Sequence, residues 1–379
     1  MRRLLPLLLL VLIPGPSAAL ADGCPPSVCG ITSITPPGSP VTLVRHQGQQ
    51  GPAVGYDLVT GARRFALPRG VLAANGRTFV STSKVKAAKQ TAVRRYDARS
   101  GRLRSRNAIA GRWDIAAASA DARRVALFKY RGRSVVVGVA DTALRFRRAL
   151  RGMWEVEALS PDGSRVFLIH WNATGGYTLE NLDTRSGRLS PTRLEGDEKM
   201  SGTAQGAVAT RDGRWLLTLY QKADGSTFLH ALDLRTGLAH CVDLPLRGEP
   251  LTVGATALTL SPDERNLYVA SPFLGHVLTI DLHALQVTRD SRFARLPGSQ
   301  VDFAYGSSAA VTANGRMLAF SGADNAWLYD TAYGVVRERV HAAQEVIGIG
   351  FSPDGRRLMT LAAAGQAWVF DAATGKRVR

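Results

Sequence analysis

Short apolar stretches recur along the whole chain, and two turn signatures close them in alternation. "RVFLIHW" (165–171), "RWLLTLY" (214–220) and "NLYVAS" (266–271) are rich in Leu, β-branched and aromatic residues. They are too short for helices and predict strands. The first signature reads "TPPGS" (35–39), "AANGR" (73–77), "SADAR" (119–123), "SPDGS" (160–164), "TRDGR" (210–214), "SPDER" (261–265), "TANGR" (312–316) and "SPDGR" (352–356). Pro presets its φ, and Gly or Asn tolerates the left-handed conformation, so each copy predicts a tight hairpin.

The second signature interleaves with the first. It reads "YDLVTG" (56–61), "YDARSG" (96–101), "VADTA" (139–143), "LDTRSG" (182–187), "LDLRTG" (232–237), "IDLHAL" (280–285), "YDTAYG" (329–334) and "FDAATG" (370–375). Each places an Asp at the end of an apolar run: Asp57, Asp97, Asp141, Asp183, Asp233, Asp281, Asp330 and Asp371. Such an Asp can accept hydrogen bonds from amides two and three residues on. The repeating unit is therefore strand, first turn, strand, longer loop, strand, second turn, strand. Four strands in about 44 residues describe a β-propeller blade.

Eight copies of each signature predict an all-β propeller of eight four-stranded blades over residues 31–379, with seven as the alternative if the ends share a blade. The short last strand, "KRVR", suggests that the N-terminal segment closes the ring. The second signature resembles the end of a WD40 repeat, with "YD", "LD" or "FD" in place of Trp-Asp. The resemblance to bacterial WD40-like and YVTN-type propeller proteins covers about 31–379. It lacks the Gly-His dipeptide of true WD40 repeats and implies the fold and little else.

Residues 1–21 read as an export signal: Arg2 and Arg3, an apolar run from Leu4 to Ile13, then small residues before Asp22. The run is too short to span a bilayer, and no later one is long enough, so the mature chain is expected in the cell envelope or secreted. Lipoprotein processing at Cys24 is the weaker reading, because "ADGC" is a poor lipobox. In the segment 22–30, Cys24 and Cys29 of "CPPSVC" are close enough to form a disulfide, which export permits. Two ligands do not make a metal site, so no metal is expected.

The net charge of +18 changes the picture of partners, since 48 basic residues face 30 acidic ones. A protein or an anionic envelope polymer is the expected partner. Nucleic acid is disfavoured, because the basic residues are read as spread along the chain. Seven first turns carry an Arg (Arg77, Arg123, Arg165, Arg214, Arg265, Arg316, Arg356). Pairing with the motif Asp residues is favoured over an anion-gripping ring.

Both signatures fall on one face of the disc, and the irregular loops fall on the other, where binding usually lies. That face gathers the candidate binding residues His46, Lys84, Lys86, Lys89, Lys129, Trp113, Trp154, His170, Trp171, Lys222 and His276. Lys with aromatics suits recognition of a protein or an acidic glycan.

Nucleophile-elbow, zinc-protease and Walker motifs are absent from the sequence, and no catalytic residue or cofactor is named. "D-x-x-T-G" resembles the repeat of quinoprotein dehydrogenases, but the Trp that follows the Gly in that family is missing after Gly61, Gly101, Gly187 and Gly237. The leading expectation is a non-catalytic scaffold that binds through loops on one face. The alternative is a propeller enzyme, a quinoprotein-like oxidoreductase or a lactonase-like hydrolase, with its site at the central channel.

Overall fold

The computed structural model describes residues 33–36, 38–45, 52–85, 89–172, 176–195, 200–297, 307–362 and 364–378. Cys24, Cys29, His46 and Lys86 lie outside them, as do residues 1–21, which the sequence reads as an export signal. The strands form eight antiparallel sheets in sequence order: 33–67, 70–110, 114–151, 153–191, 203–247, 257–292, 309–341 and 346–371, numbered here as blades 1 to 8. Eight blades are present, and the seven-blade alternative falls away. Two blades depart from four strands. Blade 5 gains Arg193–Leu194 in parallel with its outer strand Leu238–Arg247. Blade 8 has three strands, with one bridge from Phe370 to Arg377 where the outer strand would run. No helix among the described residues is long and apolar enough to cross a membrane.

Alternation sets the packing. Successive residues of a strand point to opposite faces, so each blade presents one apolar face to each neighbour. Eight buried clusters accordingly fill the eight seams. The ring closes between blades 8 and 1 by face-to-face packing, where Val44 and Leu58 meet Ile347, Met359, Leu361 and Val369. The first strand, Ser33–Ile34, pairs with Val41–Arg45 of its own blade and not with the outer edge of blade 8. The N-terminal segment contributes to closure differently from the expectation: Ser33 Oγ donates to Ile349 O (3.2 Å) and accepts from Ile349 N (3.1 Å) across the seam. Ser33→Ala leaves both buried backbone groups short of a partner. It is expected to cost about 2 kcal/mol, read as a lower urea midpoint at unchanged slope.

The charge is not evenly spread. Residues 70–151, which build blades 2 and 3, hold 20 of the 48 basic residues and 4 of the 30 acidic ones. Their outer strands, Leu103–Ala110 and Leu144–Arg151, alternate so that Arg104, Arg106, Arg145 and Arg147 face solvent. The positive field is therefore concentrated on one side of the ring.

Candidate functional site

The two turn signatures share one face, as the strand order requires. Their chemistry is local. In each second turn the Asp carboxylate accepts from nearby amides, as in Val59 N (3.0 Å) and Thr60 N (2.8 Å) to Asp57 Oδ1. Among the described pairs, Arg214 alone of the seven turn arginines reaches a motif Asp, Asp233 at 3.1 Å. The other partners come from elsewhere in the same blade, such as Arg64 on Asp57 and Arg145 on Asp141. The sign of the expected pairing was right, but its donors were not, because the strand that follows the second turn runs back beside the Asp. Burial pushes Asp141 up, but bonds from Ala143, Arg145 and Thr142 outweigh it and bring it to about 2.

The described loop-face candidates do not form one cluster. Lys84 pairs with Asp114 (3.0 Å), Lys129 lies over the Trp113 ring (4.1 Å), and Lys222 pairs with Asp243 (3.4 Å). His276 Nδ1 sits 2.7 Å from Asp290, and Lys89 holds a positive φ of 48° in its turn. Trp113 and Trp154 are buried, each giving its indole N–H to a nearby carbonyl, Ala110 O and Arg151 O. Trp154 stacks flat on His170, with ring centroids 3.9 Å apart. Trp171, beside them, leads into a different environment.

That environment is the seam between blades 4 and 5. Its turn-face half is apolar, built on Ala158, Phe167, Ala207 and Leu216. Its loop-face half is polar. The innermost strand of blade 4, Met153–Leu159, carries a β-bulge between Val156 and Ala158. Trp154 and Val156 pack toward blade 3, whereas Ala158 packs toward blade 5. The bulge therefore leaves Glu157 beside Ala158, aimed at blade 5, where bulges commonly redirect a side chain. Tyr220, from strand Trp215–Gln221 of blade 5, and Tyr177, from strand Tyr177–Asp183 of blade 4, stack at 6.4 Å beside it. Behind Tyr220 lie His230, edge-on at 5.8 Å, and Cys241, whose sulfur is 4.0 Å from His230 Nδ1 and from Met200 Sδ.

Glu157 is 1% exposed, and neither carboxylate oxygen has a protein partner among the described residues. His230 Nε2 is likewise buried without one, while the Tyr177 and Tyr220 hydroxyls face each other and the Trp171 indole faces Glu155, all short of a well-formed hydrogen bond. Most buried polar groups are paired, so such a concentration in one seam marks a site that is built for something other than stability. Burial, reinforced by the Glu155 charge, pushes Glu157 up to about 7. Burial also raises Glu155, opposed by the Trp171 indole. Burial, reinforced by His240, brings His230 down to about 4. Burial and the nearby Glu157 raise both tyrosines. A carboxyl group that titrates at neutral pH can take up or release a proton under working conditions. No group of three or more metal-ligating side chains occurs among the described residues.

Sequence reasoning missed Glu157, although the repeat carries a signal for it. The residue three before the first turn is Thr32, Gly70, Ala116, Ala207, Leu258, Ala309 or Ile349 in the other blades, and a carboxylate only here.

No family model matches the chain, and no curated protein matches it by sequence. Among solved structures it is similar to the dihydro-heme d1 dehydrogenase NirN in complex with DHE: TM-score 0.55 and 16% identity, over 91% of this chain and 74% of that one. Hydrazine synthase of Kuenenia stuttgartiensis gives a TM-score of 0.41 and 13% identity, over 80% and 94%. The likeness to the dehydrogenase supports the shared propeller fold. It also overturns the non-catalytic scaffold as the leading reading. That neighbour is an enzyme, and the chain's own unusual groups lie in the seam beside its channel, not across a loop face.

Proposed function

We propose that the chain is a propeller enzyme of the oxidoreductase class, with Glu157 as the group that exchanges a proton with its substrate. One observation carries the reading: a fully buried, unpartnered carboxylate at about 7 on the innermost strand of the ring. Perturbed carboxyls of this kind concentrate at active sites. Glu155, half-buried and two residues nearer the loop face, would meet an entering molecule first. Tyr177 and Tyr220, raised and therefore protonated, would donate hydrogen bonds to the carboxylate or to the substrate oxygen. The oxidoreductase class rests on the dehydrogenase neighbour. Haem iron takes an axial side chain, commonly His. Here His170 is stacked on Trp154, His230 is buried, and His240, His276 and His341 are each paired with a carboxylate. His283 is exposed in the second turn of blade 6, and no ligand is assigned among the described histidines; the electrons are assigned to an acceptor supplied from outside. The leader-like first 21 residues would put this activity outside the cytoplasm.

The test is reduction of dichlorophenolindophenol by the purified mature chain, challenged with fractionated small molecules from its own envelope extract. Because the carboxylate is the working base, kcat/KM should rise with pH through about 7 and then level off. Dye reduction with no inflection near neutrality, or none with any fraction, would sink the proposal.

A further inference from the structure

On the turn face, beginning at Ala158 beside Glu157 on the same inner strand, the channel widens into a chamber of about 480 Å³. That volume lies in the range of small-molecule sites. Its walls are small and apolar, with Ala117, Ala158, Ala209 and Ala310 among them. Its mouth is ringed by the second residue of successive first turns. That residue is Pro36, Ala74, Ala120, Pro262, Ala313 and Pro353 on six blades, and Arg211 on blade 5.

A second departure faces the first across the seam of blades 5 and 6. The fourth residue of the turn is a left-handed Gly on six blades, as in Gly163 (φ 67°) and Gly355 (φ 72°); Ala122 holds the same conformation on blade 3 (φ 60°), and on blade 6 a charged residue, Glu264, stands there with φ 58°. A non-Gly residue held in this region implies a local reason for the strain. Glu264 uses both oxygens on Arg211: its backbone N (3.0 and 3.1 Å) and its Nε (3.3 Å). Arg211 Nη1 donates to Pro262 O (3.1 Å). The guanidinium is thereby fixed at the mouth with its Nη2 edge uncommitted among the described residues, while Glu264 is held against Arg211 by both oxygens.

We propose that this chamber is a second binding site, for a compact apolar molecule bearing one carboxylate. The apolar body would fill the alanine-walled space, and the carboxylate would accept from Arg211 at the mouth. The chamber borders the Glu157 seam at Ala158 but uses none of its polar groups, so either proposal can fail without the other.

The probes are 1-pyrenebutyrate and its methyl ester, which share a body and differ in the anion, titrated against the mature chain by fluorescence. The acid should bind one to one and at least tenfold more tightly than the ester. Arg211→Ala should bring the acid down to the ester's affinity while leaving the ester unchanged, which also shows that the chamber is intact. Ala209→Trp should remove both, and Glu157→Gln should alter neither. Equal affinity of acid and ester, no binding by either, or an acid preference that survives Arg211→Ala would each overturn the proposal. A pair that merely clamps two blades would give no acid–ester discrimination.

Discussion

Glu157→Gln is expected to make the protein more stable and less active at once. The unfolded carboxyl titrates near 4.5, and the folded one at about 7. Below 4.5 both states hold the proton, and Glu157 makes no demand on the fold. As pH rises toward and through 7 the unfolded state alone prefers the charged form, and stability is lost. The loss levels off above 7 at about 3 kcal/mol, from the size of the shift and the cost of each pKa unit. An amide of the same shape does not titrate, so at pH 8.5 the variant should exceed wild type by about that amount, and at pH 4 the two should be nearly equal. Urea unfolding at the two pH values reads this directly. The same exchange removes the proton acceptor, and turnover should fall on the order of 100-fold or more. A residue kept only for packing would not give gains in stability with loss of function; a catalytic group held at a cost would. A variant that is destabilised at pH 8.5 would show that Glu157 is satisfied in the fold.

The turns were legible because their chemistry is local. An Asp that bonds the amides of Val59 and Thr60, or a left-handed Gly163, needs only neighbours in sequence. Eight such units predict eight seams, and the clusters follow. What depends on the next blade was not legible. The extra strand Arg193–Leu194 pairs with residues of the same sheet's outer edge, and nothing in "TRLEG" signals it. Lys84 and Lys222 read as parts of an open face, yet the acids that engage them, Asp114 and Asp243, arrive from other strands. Glu157 was visible only by aligning the repeats on their turns, since its own segment, "WEVEALS", alternates like an ordinary strand. Even that alignment could not supply the bulge that turns it toward blade 5, or Tyr220, which meets it from the neighbouring sheet.

His230 should show the opposite pH dependence from the same seam. Burial holds the folded imidazole at about 4 against 6.5 when unfolded. Its neutral form costs nothing above 6.5. As pH falls from there through 4 the unfolded state gains a proton that the folded state refuses, and stability drops by about 3 kcal/mol in all. Between 4.5 and 6.5 the two groups therefore pull against each other, each with a slope of about 1.4 kcal/mol per pH unit, and their joint contribution in wild type is flat. Removing either exposes the other. Relative to wild type, Glu157→Gln should gain stability with rising pH across this window, while His230→Gln should lose it. The double variant should return to a flat difference, provided the two side chains act separately with Tyr220 between them. The carboxylates of the turns titrate in all four proteins and cancel in these differences. A thermodynamic cycle of four urea series at pH 4.5, 5.5 and 6.5 measures both slopes. A flat difference in both single variants would mean that Glu157 stays charged and His230 protonated in the fold, and the reading of Glu157 as a neutral-pH base would fall.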